Sequence, residues 1–360
     1  MAETARRPFT PGILAILGLE TVVDLEHVEW QLVTPESRHG LWRLRLPTDI
    51  PGPKSYVVKH YHHAADRYFD HRFRREERAL NLLGRLSPGL VPTIHGGSIT
   101  EGHSAFLVLE DLGDTTLHIE LEASPPEARR RLMLSAIDSL AALHRQTDLH
   151  SAIFRALCYS SNLDRITART MMARFAIALK RCVPSSNKMP FSAAERNSEF
   201  RDGIVVPLLK ARRRVIHGSF SPLNLCVRGT GRTTIVDFET LSTGPAEMDL
   251  SELLSYPMVN LGREEDSFID RYARLAGRVD PKPDFRRRVH LAAVARCIDY
   301  AGTLALRRAR FAREGRHELA AVQHHRRNLY VEEAVRRAVE AGLSGNLIKL
   351  IDSLAPRPAS

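Results

Sequence analysis

At 360 residues the chain has room for two domains, or for one two-lobed unit, with a substantial core. Its 43% apolar and 26% charged content is that of an ordinary globular protein, which excludes a disordered or collagen-like chain. A formal net charge of +10 favours anionic partners, a condition that nucleotides and phosphates meet as well as nucleic acid does. The cysteines, Cys158, Cys182, Cys226 and Cys297, are scattered and form no C-x-x-C pair. Neither a zinc site nor a disulfide framework is indicated, so a reducing cytoplasm is the expected location. The opening MAETARRPFTPGILAILGLE is faintly similar to a twin-arginine export signal. Glu20 interrupts its short apolar run, however, and no small-residue cleavage site follows. No apolar segment approaches the roughly 20 residues needed to span a bilayer.

In chain order, residues 10–25 read as a short helix, and the pattern to about residue 110 is β-rich. His27–Thr34 and Gly40–Leu46 read as strands. In the second, Trp42, Leu44 and Leu46 alternate with Arg43 and Arg45, the period of a half-buried strand. After a Pro51–Pro53 loop comes a strand at Ser55–Tyr61, then a helix at Arg67–Leu86 that buries Phe73, Leu80 and Leu83. Ala105–Leu109 is a further strand, and Glu110-Asp111-Leu112-Gly113 reads as a connector. Beyond it the pattern is helical. Ser124-Pro-Pro-Glu127 has the form of a capping box, opening a helix to about His144 with Met133, Ile137 and Leu140 inward. Two helices are expected at 160–183 and 191–213 around a Pro-Ser-Ser-Asn break, and helices again from Asp249 to the end.

Between these helical stretches lies HGSFSPLNLCVRGTGRTTIVD, His217 to Asp237. Leu225–Arg228 and Thr233–Val236 flank a Gly-Thr-Gly-Arg turn, a hairpin signal. A turn centred on Thr230 and Gly231 would set Asn224 directly opposite Asp237. An amide and a carboxylate side by side suit a Mg²⁺ that keeps waters and touches phosphates. Upstream, Lys59 shares a strand face with Val57 and Tyr61 and needs an anionic partner there, because burying an unpaired ammonium is costly. Glu76 and Glu77 on the following helix are the two candidates. Read singly, Lys59 fits an edge strand better, and both glutamates fit a solvated helix face better.

Taken together, a strand lysine, a helix glutamate, a connector, a histidine loop, an asparagine and an aspartate follow the protein-kinase-like order. The chain resembles the aminoglycoside phosphotransferase and choline kinase group of small-molecule kinases. The resemblance rests on His217-Gly218-Ser219-Phe220-Ser221-Pro222-Leu223-Asn224, Asp237-Phe238-Glu239 and Gly244-Pro245-Ala246-Glu247-Met248-Asp249-Leu250. Glu76–Leu83 matches the glutamate helix, Phe106–Asp111 the hinge strand, and Leu140–Arg145 the helix before the substrate-binding insertion. It implies an α+β, two-lobed protein-kinase-like fold. The β-rich nucleotide-binding lobe would be residues 1–112 and the larger helical lobe 113–360, with its metal hairpin at 215–239 and an acceptor-binding insertion at 150–213.

It further implies ATP, or another nucleoside triphosphate, with Mg²⁺. Lys59 would hold the α- and β-phosphates, Glu76 would fix that lysine, and Glu110 on the hinge would belong to the nucleotide site. Asn224 and Asp237 would bind the metal, His217 would support the loop, and Asp249 would brace it. No Gly-rich phosphate loop is legible at Pro35–Gly40. The departure is Ser219, where the family has its catalytic aspartate. A serine hydroxyl is no base at neutral pH, and general-base catalysis is worth about 10²- to 10⁴-fold. Glu239, and after it Glu247, are the substitute carboxylates nearest in sequence.

Two functional readings follow. One is an atypical phosphotransferase acting on an alcohol or anionic small molecule, since the loose transition state depends mostly on positioning and charge neutralisation. The other is a catalytically silent pseudokinase that binds nucleotide as a regulator or scaffold. A third, nucleic-acid binding through Arg286–Arg288, Arg307–Arg316 and Arg326–Arg337, is disfavoured. Glutamates interleave these runs and no base-stacking aromatics accompany them.

Overall fold

The computed structural model describes residues 10–23, 25–33, 40–61, 67–99, 105–158, 166–183, 191–256, 264–277 and 282–355. Helix α1 (Thr10–Ile16) precedes an antiparallel sheet of β1 (Glu29–Leu32), β2 (Gly40–Arg45), β3 (Ser55–Tyr61), β4 (Ile94–Ile99) and β5 (Ala105–Glu110). The spatial order is β1-β2-β3-β5-β4, and α2 (Arg67–Leu86) runs between β3 and β4 in sequence. The third strand and the glutamate helix lie where periodicity put them. Strand β4 was not foreseen, because Gly96-Gly97 erases its alternation. Gly97 is required there by close approach, since a Cβ would stand 2.7 Å from a Leu107 methyl. The Pro35–Gly40 loop falls almost wholly outside the described residues.

One sheet face, with Trp42, Leu44, Val58, Phe106 and Val108, closes on Ile13 and Leu14 of α1 to form a small core. The other, with Tyr61, Leu107 and Leu109, packs on Phe73, Leu80 and Leu83 of α2. Each such fully buried side chain contributes about 1.5–3 kcal/mol. Lys59 lies on this second face, paired with Leu107 of β5. Arg43 departs from the expected alternation and is buried. Its guanidinium bonds Asp111 at 2.7 Å and Asp114 at 2.7 Å, pinning the connector to the sheet.

After the connector the structure is mainly helical: α3 (Leu117–Ala123), α4 (Pro126–Leu149), α5 (Ser151–Cys158), α6 (Ala168–Cys182), α7 (Ala193–Phe200) and α8 (Val206–Leu209). A π-turn at Arg201–Val205 joins the last two. Short strands β6 (Arg213–Ile216), β7 (Leu225–Val227), β8 (Thr233–Ile235) and β9 (Ser242–Pro245) follow. Helices α9 (Glu247–Leu254), α10 (Glu265–Ala276), α11 (Lys282–Arg313), α12 (His317–Glu340) and α13 (Gly345–Asp352) complete the fold.

Three local expectations are corrected. The Ser124 capping box does not form. The unforeseen α3 ends at Ser124, whose N–H donates to Glu120 O, and α4 is capped by the backbone of Pro125 with no side-chain bond. The expected helix at 191–213 is broken by the π-turn and stops at Leu209, because Arg213–Ile216 pairs with β9. The hairpin register is shifted by one. Leu225 pairs with Ile235, Arg228 N donates to Arg232 O, and Gly231 takes φ +76°. The loop therefore holds three residues with glycine in the left-handed position rather than two. Asn224 stands opposite Val236, whose N–H donates to Asn224 O at 3.0 Å, and Asp237 lies one residue beyond.

Helix α11 is long and apolar enough to cross a membrane, but 67% of its most apolar stretch is buried inside the protein, as in a core helix. Members of the first and third arginine runs are tied to the fold by ion pairs, whereas the arginines of Arg307–Arg316 are exposed. Arg288 bonds Glu247 at 2.7 Å, Arg286 bonds Asp270 at 2.7 Å, and Arg337 is fully buried between Glu333, Glu265 and the carbonyl of Leu254.

Candidate active site

Strand β3 and helix α2 bring Lys59 and Glu76 together at 2.7 Å, which selects Glu76 over Glu77. The same ammonium reaches Asp237 Oδ1 at 2.5 Å, across from the loop after β8. Burial alone would lower the lysine pKa, but the Asp237 and Glu76 carboxylates outweigh it and hold the ammonium well above its usual value. Burial pushes the Glu76 carboxyl up, against the pull of Lys59, and Tyr61 donates its hydroxyl to Glu76 as well.

Glu239 joins this cluster rather than the acceptor side. Arg72 of α2 bonds its carboxylate at 2.8 Å, Arg75 bonds its backbone carbonyl at 3.0 Å, and Lys59 lies 3.9 Å away. A carboxylate tied to a guanidinium and making no hydrogen bond to Ser219 is poorly set to replace a base. Glu247 is likewise buried against Arg288. Glu110 carries a lowered pKa: burial raises it, and the Thr93 N–H bond and Arg228 outweigh that. Its side chain thus joins the hinge to the hairpin, with Arg228 at 2.9 Å.

Asp237 is the single non-glycine residue with positive φ among the described residues, at φ 68° and ψ 61°. The left-handed conformation costs roughly 1–2 kcal/mol and persists only where surroundings over-determine it. It turns the carboxylate toward Lys59 with 34% of the side chain exposed. Asn224, half-buried, donates its amide to Ser219 O at 2.9 Å and to Ser219 Oγ at 3.2 Å. A part-exposed carboxylate whose preceding residue, Val236, bonds the backbone of Asn224 brings an acid and an amide to one end of the hairpin, a donor set Mg²⁺ accepts while keeping waters. The oxygens of Glu76, Asp237 and Glu239 also lie within 4.8 Å of one another, and each already pairs with Lys59 or Arg72.

The loop carrying Ser219 is held from behind. Asp249 accepts from His217 N at 2.7 Å, Gly218 N at 2.8 Å and His144 Nε2 at 3.0 Å. Burial would raise its pKa, and the His144 bond and its fellow donors lower it instead. His217 is fully buried; its Nε2 donates to Val236 O at 3.0 Å and its Nδ1 accepts from Ser219 N at 3.3 Å. Gly218 takes φ +81°, and a Cβ there would meet Thr240 O at 2.5 Å. The expected bracing by Asp249 and His217 is thus visible as hydrogen bonds.

Several contributors escaped the sequence. Arg72 and Arg75 sit one turn and one residue before Glu76, so the helical spacing that favours i, i+4 neighbours could have drawn attention to Arg72. His144 falls on the Met133-Ile137-Leu140 stripe, where a histidine among core positions is itself a signal. Its Nδ1 meets the Tyr272 hydroxyl at 2.5 Å, which Arg214 also bonds at 3.1 Å. Arg296 of α11 donates to Gly218 O at 3.0 Å and pairs with Glu252, a link no motif announces.

A β-sheet region and a larger helical region facing each other across a lysine–aspartate pair make this a protein-kinase-like phosphotransferase fold. The sequence pattern of the phosphotransferase enzyme family matches residues 45–291, and the chain belongs to that family. Among curated proteins none matches in sequence. Solved structures resemble it at the level of fold. The GDP complex of wild-type aminoglycoside 2'-phosphotransferase-IIIa is 15% identical with a TM-score of 0.56, covering 91% of this chain and 98% of that one. The macrolide 2'-phosphotransferase MphH from Brachybacterium faecium is 17% identical at TM-score 0.52, covering 86% and 98%. An ethanolamine kinase from Plasmodium vivax is 12% identical at TM-score 0.52, covering 92% and 86%.

Proposed function

We propose that the protein transfers the γ-phosphoryl group of a nucleoside triphosphate to a small molecule, without the usual carboxylate base. The observation that carries this reading is the Lys59 ammonium held between Glu76 at 2.7 Å and Asp237 at 2.5 Å. Bound phosphates would draw the ammonium off Asp237 while Glu76 keeps it in place. Asp237 and Asn224 would hold Mg²⁺, whose contribution when bound is to neutralise charge on the phosphates. Residues 1–112 would carry the nucleotide, and residues 150–213 with the C-terminal helices would shape the acceptor site. The structural neighbours named above include phosphotransferases for aminoglycosides and macrolides, which supports a small-molecule acceptor.

A second reading, a nucleotide-binding pseudokinase, is favoured by one observation. The Ser219 hydroxyl accepts from Asn224, and among the described residues no carboxylate bonds it. One experiment separates the two. The purified protein is incubated with Mg²⁺ and ATP or GTP, and nucleoside diphosphate release is measured beside the nucleotide-induced melting shift. Turnover that disappears in Asp237→Ala supports the enzyme. Ser219→Asp is expected to raise turnover by about 10²- to 10⁴-fold, the usual worth of a general base. A melting shift with no release in the wild type, and release gained only in Ser219→Asp, establishes the pseudokinase.

A further inference from the structure

The phosphotransferase reading leaves one nucleophile beside the site without a task. Ser219 Oγ is 3.2 Å from Asn224 Nδ2, and the Asn224 carbonyl accepts from Val236 N at 3.0 Å, next to Asp237. Asp237 Oδ1 is in turn 2.5 Å from Lys59 Nζ. The hydroxyl therefore stands one hydrogen bond from a candidate metal ligand. Its backbone is fixed as well: Ser219 N donates to His217 Nδ1, His217 N and Gly218 N donate to Asp249, and Arg296 holds Gly218 O. Immobilising a nucleophile beside its target replaces a bimolecular encounter, an advantage that reaches about 10⁵–10⁸ M in effective concentration.

A hydroxyl oxygen carries two lone pairs and one proton. Asn224 occupies one lone pair, so the O–H bond turns away from the amide and the second pair remains for a phosphorus atom. An aspartate at this position would take a proton from an acceptor. The serine is itself an alcohol, the acceptor chemistry this class of site handles.

We propose that Ser219 is a self-modification site, taking the γ-phosphoryl group of the nucleoside triphosphate bound to its own chain. This rests on the phosphotransferase reading. The Ser219 Oγ–P bond forms while the bond from the γ-phosphorus to the β–γ bridging oxygen breaks. Nucleoside diphosphate leaves, the hydroxyl proton passes to water, and phosphoserine remains. The transition state is loose, so the step asks little of a base. The product places about −1.5 to −2 charge beside Asn224 and Asp237. It also turns a group with no basicity at neutral pH into one whose second pKa is about 6.

The test uses the full-length protein, treated first with a phosphatase that is then removed. Its melting temperature is recorded with and without Mg²⁺ and ATP, and the treated protein is digested with trypsin. Cleavage after Arg214 and Arg228 yields one peptide, Val215–Arg228, holding both Ser219 and Ser221, which fragmentation mass spectrometry resolves. The expected result is one phosphoryl group on Ser219, acquired at a rate independent of protein concentration. It should be absent from Asp237→Ala and from the milder Asp237→Asn, each still melting cooperatively. A nucleotide-induced melting shift with an unmodified Ser219, a phosphate on Ser221 or elsewhere, or labelling of Ser219 that persists in both variants overturns the proposal. Absence of any melting shift overturns the phosphotransferase reading, and the self-modification with it.

Discussion

Asp237 and Asp249 are both carboxylates of the candidate active site, yet one faces a lysine with a third of its side chain exposed and the other is sealed beneath three donors. The first interaction is a charge pair with a long, adjustable side chain, the kind that bound phosphates or a cation would exchange. The second consists of directional bonds to two backbone N–H groups and an imidazole that cannot leave. Hydrogen bonds to a charged group are worth about 1.5–3 kcal/mol each. One aspartate thus keeps a solvent-facing side, and the other fixes the shape of the loop on which Ser219 rides. A left-handed backbone at Asp237, against an ordinary helical one at Asp249, repeats the contrast.

The harshest way to break the exchangeable side is Lys59→Met. It removes the cation from the Glu76–Asp237 pair and leaves two carboxylates facing each other. Turnover of nucleoside triphosphate should fall by about 10²- to 10³-fold, the usual cost of removing one charge-stabilising donor. The nucleotide-induced melting shift should shrink with it. Undiminished turnover would remove Lys59 from the phosphate site.

A crossed pair of substitutions sharpens the comparison at a smaller scale. Asp249→Asn replaces an acceptor for three donors with a group whose own NH₂ must face one of them, and should cost about 3 kcal/mol in a urea titration. Asp237→Asn should cost less, about 1 kcal/mol, since its side chain is partly solvated, Glu76 still pairs with the buried ammonium, and asparagine tolerates the left-handed backbone. It should nevertheless erase the melting shift produced by Mg²⁺ and nucleotide. Equal stability losses in the two variants would show that Asp237 is structural as well.

What could be read beforehand follows the same division. The Lys59–Glu76–Asp237 contact was legible because residue type and order carry it, and the helix around Glu76 has a clear apolar period. Asp249 was legible through its motif. The hairpin register was missed because one glycine, Gly231, decides between two- and three-residue loops, and either fits Gly-Thr-Gly-Arg. Strand β4 was missed because Gly96-Gly97 replaces alternation with close packing on β5. The partners of His144, Arg72 and Arg296 were hidden for another reason. Periodicity marks His144 and Arg72 as residues of interest, but each of the three braces acts through a contact between distant segments, which no local spacing names.

The smallest effect is a pH dependence of stability that separates the two sides. Burial lowers the His144 pKa below its ordinary value, more than its bond to Asp249 raises it, so the folded state holds the ring neutral. In that form Nε2–H donates to Asp249 and Nδ1 accepts from Tyr272. The unfolded chain takes up a proton near pH ~6.5 while the folded one resists it, so stability is complete above that pH and declines as pH falls toward the lowered value. Asp249 is also depressed, which keeps its own contribution until the pH drops below about 4, where the unfolded carboxylate protonates. The wild-type melting temperature should therefore fall in two stages, one in weak acid and one in strong acid. His144→Gln should shrink the weak-acid stage, to which His95 and His290, also lowered by burial, contribute as well, and leave the strong-acid stage in place. A variant whose melting temperature still declines as steeply between about pH 7 and pH 5 would show that some other group titrates there, and that the loop is braced by Asp249 without help from the ring.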